Sequence, residues 1–337
     1  MLSVSKPILA PTSLTAMAIR LPPHAPTHYA LPHRRTPPFR SIARAAPSPS
    51  TTSTAVSLPP SPKKVLVPIA MGTEEMEAVI LAGVLRRAGA DVTLASAEDG
   101  LEVEASYGTR IIADKSIAAC ADQEFDLVAL PIDAGLERST EVNRVEWPFD
   151  HKPQVLIPIA NGSEEMEIIM LVDILRRANI NVVLASVDES TNIVGSQRIK
   201  IVADKCILDA SDSKYDLIII PGGPAGAERL HRCTTLKKLL KEQRQASRMY
   251  GGICYSPLIL QKQGLLQDKT VTAHPSIVNQ LTCQVIDRSK VVIDGNLITG
   301  KGLGTVMDFS LAIVRKFFGH GRAKGVANGM VFDYPKS

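Results

Sequence analysis

The chain of 337 residues is 45% hydrophobic, enough for one or two domains with a substantial core, and it contains no run of 18 apolar residues that could cross a membrane. Its formal charge of +4 comes from its beginning: Lys6, Arg20, Arg34, Arg35, Arg40 and Arg44 lie in residues 1–62, which hold no Asp or Glu, so the remainder carries −2. With that charge and only 4% aromatic residues, neither the phosphate-neutralising surface nor the stacking platform of a nucleic-acid-binding protein is expected.

Residues 1–62 are rich in proline and, from Ser48 to Ser57, in serine and threonine. Such a stretch cannot bury enough apolar surface to offset its chain entropy, so a disordered segment is expected. Arginine and serine without acid is the composition of an organelle transit peptide, and the prolines argue against the amphipathic helix of a mitochondrial one. The expected compartment is the chloroplast stroma, ahead of the mitochondrion, with processing near Ala45-Ala46.

From Val65 the sequence repeats itself. Residues 65–131 and 155–221 align at a constant offset of 90 without a gap, and 29 of the 67 positions are identical, which makes them two copies of one structural unit. The second copy runs on for 116 residues beyond Pro221, whereas the first stops about 20 residues before the second begins. The expected organisation is a truncated copy over 63–135, a linker over 136–153 and a complete copy over 154–337. Chemistry that needs both halves of the unit can occur only once.

In the complete copy, Val155–Ala160 reads as a buried strand closed by Asn161-Gly162. Ser163 is the expected N-cap of a helix whose apolar stripe is Met166, Ile169, Met170, Val172 and Leu175, with Arg176-Arg177 in its last turn. Strands are expected at Asn181–Ser186, Lys200–Ala203 and Tyr215–Pro221, then a helix over Leu230–Gln245, a strand over Arg248–Ile253 and a helix over Tyr255–Gln263. Thr270–Ala273, Val291–Ile293 and Leu297–Thr299 read as strands, and Thr305–Phe318 as the closing helix. Apolar strands alternating with helices predict an α/β fold, a doubly wound parallel sheet covered on both faces, with ligands at the carboxyl ends of its strands. The truncated copy ends on the apolar strand Phe125–Pro131, whose outer edge has no neighbour within that copy. An uncovered apolar edge is an aggregation hazard, so this copy is expected to be loosely folded or propped against something, through intramolecular pairing of the repeats or a homodimer.

The strand ends of the complete copy carry the chemistry. Gly251-Gly252-Ile253-Cys254-Tyr255-Ser256-Pro257 sets a cysteine at a strand-to-helix turn, a nucleophile elbow with sulfur in place of hydroxyl. There the helix N–H groups are expected to lower the thiol pKa below its usual ~8.5. Gly222-Gly223 ends a neighbouring strand and, with the N–H of Tyr255, offers an oxyanion cradle. His274, in Ala273-His274-Pro275, is a candidate acid or base. Glu167 lies in the first helix of the copy, while helical spacing points Glu164 and Glu165 elsewhere. Each has a plain structural reading by itself, a packed cysteine, a core histidine or a solvated acid; their conjunction at strand ends favours a site. The five cysteines (Cys120, Cys206, Cys233, Cys254 and Cys283) show no CxxC or Cys/His cluster at metal-ligand spacing. Free thiols are expected, with no metal and no other cofactor.

The segments PIANGSEEMEIIMLVDILRRA, DLIIIPGG, GGICYSP, TAHP and GLGTVMDFSLAIV together resemble the ThiJ/PfpI family, in the branch of the parkinsonism-associated protein deglycase and the glutathione-independent glyoxalases. The resemblance covers 154–330 fully and 64–131 as a truncated second copy, and tandem duplication behind a transit peptide is the arrangement of plant members. It implies a flavodoxin-like three-layer sandwich of the class I glutamine amidotransferase type, with Cys254 as nucleophile. Glu167 then becomes a buried, protonated carboxyl hydrogen-bonded to the sulfur, and His274 a nearby proton shuttle. The implied substrates are small aldehydes, methylglyoxal and glyoxal, or groups they have glycated. Tyr255-Ser256 stands where the family has a smaller pair and narrows the pocket, and Gly300-Lys301-Gly302-Leu303-Gly304 stands where it has Ser-Arg-Gly-Pro-Gly. The first copy keeps Glu77 but has Pro131-Ile132-Asp133 in place of Pro-Gly-Gly and no elbow, so it is expected to be catalytically empty. A peptidase of the family has His directly after the cysteine, where this chain has Tyr255, and an amidotransferase needs a late His-x-Glu pair, which is absent. The non-enzymatic alternative is a redox-sensing or chaperone-like stress protein in which Cys254 is oxidised to sulfinate and held by Glu167.

Overall fold

The structure is a computed structural model that describes residues 61–131 and 151–334. The expected transit peptide lies outside these residues except for Ser61 and Pro62, and so does the expected linker except for 151–153.

Among the described residues, the complete copy builds a seven-stranded sheet in the order Lys205–Cys206, Asn181–Ser186, Gln154–Ile159, Leu217–Ile220, Met249–Ile253, Leu297–Gly300 and Val291–Asp294. All neighbours are parallel except the last pair, which is an antiparallel hairpin. The central strands are apolar throughout because helices cover both faces: Leu217 to Ile220 are all fully buried. In chain order the helices are α1 (Glu75–Arg87), α2 (Glu165–Arg177), α3 (Ile207–Ala210), α4 (Pro224–Arg232), α5 (Thr234–Gln245), α6 (Ser256–Lys262) and α7 (Val306–Gly329). No helix among the described residues is long and apolar enough to cross a membrane.

Several elements differ from the sequence expectation. Lys200–Val202 does not join the main sheet but pairs antiparallel with Asn192–Val194 and with Arg110–Ile112 of the first copy. The single helix expected over Leu230–Gln245 is two, parted at Cys233, whose extended backbone ends α4 and whose sulfur accepts from Leu236 N at 3.4 Å to start α5. The closing helix runs past Phe318 to Gly329, interrupted at Gly319, where φ of 80° requires glycine. Ser163 does not cap α2, because its Oγ accepts from Ala160 N at 3.1 Å; Glu164 occupies the cap position without a side-chain cap bond. In the first copy the equivalent Glu74 does cap, accepting from Glu77 N at 2.8 Å.

The first copy forms its own four-stranded sheet, Lys115–Ser116, Asp91–Ser96, Lys64–Ile69 and Leu127–Val128, and packs α1 against α2. A third sheet is shared, two strands from each copy, with Ile111 opposite Ile201. Positions 90 apart face each other across this join, so a pseudo-twofold axis passes between the copies. Arg86 donates to the Gln197 carbonyl at 2.9 Å and Arg176 to the Tyr107 carbonyl at 2.9 Å; Arg87 binds Glu164 and Arg177 binds Glu74. One buried cluster runs from Val65 through α1 and α2 to Ala327. The first copy is therefore propped against the second within one chain, as one of the two expected arrangements has it. Among the described residues its far edge stays open: Leu127 and Val128 are 48% exposed and Leu130 68%, where their counterparts Leu217, Ile218 and Ile220 are sealed by the next strand and its helices.

Candidate active site

The elbow forms as its glycines allow. A Cβ on Gly251 would run into the Ile298 carbonyl oxygen, and one on Gly252 into the Ser256 hydroxyl, so only glycine lets the Met249–Ile253 strand lie this close to its neighbours. The turn then places Cys254 at φ 64°, a left-handed conformation that few non-glycine residues adopt. Its N–H donates to the Gly300 carbonyl at 3.0 Å and its own carbonyl accepts from His274 N at 3.1 Å. Three strand ends are thereby tied to one residue.

Glu167 is fully buried. Its Oε2 accepts from Gly222 N at 2.7 Å and the carboxyl interacts with the Cys254 thiol as expected, while Oε1 is buried with no nitrogen or oxygen partner. A Cβ at Gly222 would sit 2.7 Å from that Oε2 and 2.9 Å from the Cys254 sulfur, so the carboxyl and the thiol flank the same glycine. Burial pushes Glu167 up to about 8, with the charge of Glu164 adding to the rise and the Gly222 N–H opposing it. At neutral pH the carboxyl is protonated, and since Oε2 is committed as acceptor, the proton belongs on Oε1.

The thiol departs from the sequence expectation. Burial, and next the carboxylate of Glu167, push Cys254 up rather than down, and the N–H groups of Gly223 and Tyr255 offset only part of this. Helix N–H groups do reach the sulfur, but a side chain 8% exposed in an apolar site loses more hydration than they return. Protonation of Glu167 removes the nearby negative charge, so at neutral pH the desolvation remains as the main obstacle to the thiolate. Gly222 also departs from its assigned role: its N–H is taken by Glu167 and cannot serve an oxyanion, which leaves Gly223 and Tyr255 as the cradle.

Cys254, Glu167, Gly223, Tyr255 and His274 all line one cavity of about 410 Å³. Tyr255 stacks on His274 with ring centroids 5.4 Å apart. Lys301 also lines it, held by the Asp287 carboxylate at 3.0 Å. Among the described residues no group of three His, Cys, Asp or Glu side chains is arranged to hold a metal ion.

Two further lining residues escaped the sequence reading. Glu164 does not point elsewhere: it lines the cavity and is held by Arg87 of the first copy, whose Nη2 lies 2.7 Å from Oε1 and 2.6 Å from Oε2. The first copy, which has no elbow segment of its own, thus reaches the thiol site. The signal was available in the repeat, because a twofold pairing of units 90 residues apart that joins Arg177 to Glu74 must also join Arg87 to Glu164. Glu165 is buried and engaged by Ser196 and Gln197.

The sequence profile of the DJ-1/PfpI family matches residues 63–136 and 153–316. Among curated relatives, protein DJ-1 homolog B of Arabidopsis thaliana is 33% identical over 390 aligned positions that take in 81% of this chain and 89% of the relative. Because that span exceeds the 337 residues of this chain, the relative carries internal sequence that this chain lacks. The glutathione-independent glyoxalase DJR-1.2 of Caenorhabditis elegans is 33% identical over 168 positions, 49% of this chain and 88% of the relative. The crystal structure of Drosophila melanogaster DJ-1beta superposes with a TM-score of 0.54 at 32% identity, covering 55% of this chain and all of that one.

Proposed function

Because this chain belongs to the DJ-1/PfpI family, we propose that it is a cysteine-dependent enzyme needing no cofactor that converts reactive 2-oxoaldehydes, methylglyoxal and glyoxal, to 2-hydroxy acids, with the same attack open to glycated amines and thiols. The observation that carries this reading is the protonated carboxyl with a free Oε1 beside a sulfur that also receives two backbone N–H groups. A nucleophile next to a neutral acid suits addition to a carbonyl, where charge develops on oxygen.

In the proposed sequence the Cys254 sulfur bonds to the aldehyde carbon, the carbonyl π pair moves to oxygen, and the thiol proton ends on that oxygen to give a hemithioacetal. A proton then leaves this carbon and one arrives on the adjacent carbon, while the hydroxyl proton is given up and one is gained by the oxygen of that adjacent carbon, which turns the adduct into a thioester of the 2-hydroxy acid. Water cleaves the thioester and restores the thiol. Glu167 relays the protons, giving the Oε1 proton to a substrate oxygen and recovering one from sulfur or carbon. The glyoxalase name of the Caenorhabditis relative supports this reaction class. The test is purified protein with methylglyoxal and no glutathione: aldehyde loss matched by lactate formation is expected, and the absence of both would overturn the proposal.

The free Oε1 also favours a second reading, in which a protonated Glu167 donates to a sulfinate on Cys254. It predicts stoichiometric sulfinate under peroxide, seen by mass spectrometry, with no aldehyde turnover.

Arg87 gives an internal control. Arg87→Ala and Arg177→Ala remove the corresponding bonds to Glu164 and Glu74 on the two sides of the pseudo-twofold axis; Arg87→Ala is expected to cost about 1–3 kcal/mol of stability and Arg177→Ala more, because it also strips the partner from the buried Asp173, both read by denaturant titration. Turnover is expected to fall about tenfold in Arg87→Ala alone, since the Arg177 end faces a copy without the cysteine elbow. Equal turnover in the two variants would remove Arg87 from the site.

The acid-free composition of residues 1–62 supports action in plastids. That segment fused to a fluorescent protein is expected to accumulate there; mitochondrial import alone, or cytosolic retention, would contradict it.

A further inference from the structure

His274 is fixed by more than its backbone. Its Nδ1 accepts from the Ser276 backbone N–H at 3.2 Å and lies 2.8 Å from Ser276 Oγ, which in turn lies 2.8 Å from Tyr255 Oη. The Tyr255 ring stacks on the imidazole with an interplanar angle of 25°, so ring and hydroxyl of one side chain hold the histidine from its face and through Ser276. An amide nitrogen can only donate, so Nδ1 must present a lone pair to it, and the neutral ring must carry its proton on Nε2. The hydroxyls complete the same polarity, Tyr255 O–H to Ser276 O–H to Nδ1. The opposite edge of the ring faces the cavity: a Cβ on Gly302 would sit 3.4 Å from His274 Cδ2, the atom bonded to Nε2, and 3.9 Å from the Cys254 sulfur.

We infer that Ser276 and Tyr255 are positioning residues that lock His274 as the Nε2–H tautomer, so that His274 serves the site as a hydrogen-bond donor to the oxygen of a thiol-bound carbonyl and not as a base. The geometry and the tautomer stand without any assumption about substrate; the donor role rests on the aldehyde chemistry proposed above. As the C–S bond forms and the π pair moves to oxygen, a preformed N–H beside the sulfur meets the charge without accepting a proton. Proton movement is then left to Glu167. The bulky Tyr255 after the nucleophile has a purpose in this arrangement, since a small residue there could neither stack on the ring nor reach Ser276.

The tautomer is read directly by long-range proton–nitrogen NMR of histidine-labelled protein at pH 8, with the His274 signals assigned by their loss in His274→Gln. A pyridine-type Nδ1 and a pyrrole-type Nε2 are expected; the reverse assignment overturns the inference. Ser276→Ala keeps the amide but removes one donor, so its His274 nitrogen signals should move towards the average of the two tautomers, with a smaller movement in Tyr255→Phe. Unmoved signals in both would show that neither side chain positions the ring. Turnover separates donor from base: His274→Gln retains a side-chain N–H and is expected to keep a third or more of kcat/KM, whereas His274→Ala is expected to lose about a hundredfold, as for one oxyanion donor. Equal losses in the two variants overturn the donor role while leaving the aldehyde activity of the unaltered protein standing. If the unaltered protein turns over no aldehyde, the proposed function fails, and the NMR result alone decides whether the tautomer lock exists.

Discussion

Cys254→Ser is expected to lower methylglyoxal consumption by roughly 10⁴–10⁶-fold, the scale seen when the nucleophile is removed from a group of residues that act as a unit. The reason is chemical and not structural. Serine keeps the N–H bond to Gly300 and the carbonyl bond from His274, and it is smaller than cysteine, so the elbow at φ 64° is retained. Its hydroxyl is a far weaker nucleophile than even a thiol whose ionisation burial disfavours. Thermal unfolding should therefore be nearly unchanged while product formation disappears. Cys283→Ser, in a different part of the fold, should leave the rate alone. If the Cys254 variant retained a tenth of the activity, the reaction would belong to another group.

The second large effect is expected from Glu167→Gln, which should keep the bond geometry at Gly222 but lose a proton relay, lowering turnover by roughly 10²–10⁴-fold. Its pH behaviour gives an independent check. Glu167 moves from 4.5 in the unfolded chain to about 8 in the folded protein, because burial disfavours its charge. Between those values the folded protein holds a proton that the unfolded chain has released, so stability falls as pH rises across the window, by at most about 1.4 kcal/mol per pH unit. Below the unfolded value both states are protonated and the penalty vanishes; above about 8 both are ionised and it is complete. Glutamine carries no such dependence, so the variant should gain stability relative to the parent from pH 5 to 8. Asp173, pushed up to about 7 by burial, has the same sign but is present in both proteins and cancels in the difference. In the parent, turnover should decline above about pH 8, as the relay loses its proton. Stability curves that stay parallel across this range would mean that Glu167 is already ionised in the fold.

The missing half of the first copy changes how its surface behaves. In the complete copy the strand Met249–Ile253 seals the edge of Leu217–Ile220, and the same strand carries the elbow. Without such a strand among the described residues the first copy lacks both an elbow cysteine and the cover over Leu127–Val128. It keeps the face that meets the second copy, because that face is built from α1 and the strand Arg110–Ile112, which lie before the break. Among the described residues the chain thus has two halves at its twofold join but one cysteine elbow.

The sequence by itself determined whatever depends on neighbours along the chain. The repeat, the apolar strands and the helices follow from spacing and side-chain shape, and Gly251-Gly252 ahead of Cys254 flags a close approach by residue type, although the contacts that require glycine there are with the Ile298 carbonyl and Ser256. The cysteine, the acid and the histidine could be picked out because each stands at a predicted element end. Tertiary structure decided what depends on distant partners. Lys200–Val202 reads as one more strand, but only the twofold packing of the copies assigns it to the shared sheet. Ser163 has a cap residue's chemistry, yet Ala160 N claims its hydroxyl, and Glu164, freed from capping, is taken by an arginine 77 residues away. Gly222 looked like an oxyanion donor until the packing of α2 brought Glu167 to its N–H. The same packing fixed the protonation of that carboxyl, since a pKa is set by the solvent and charges that surround a group in space, and these are assembled from across the chain only when the core closes.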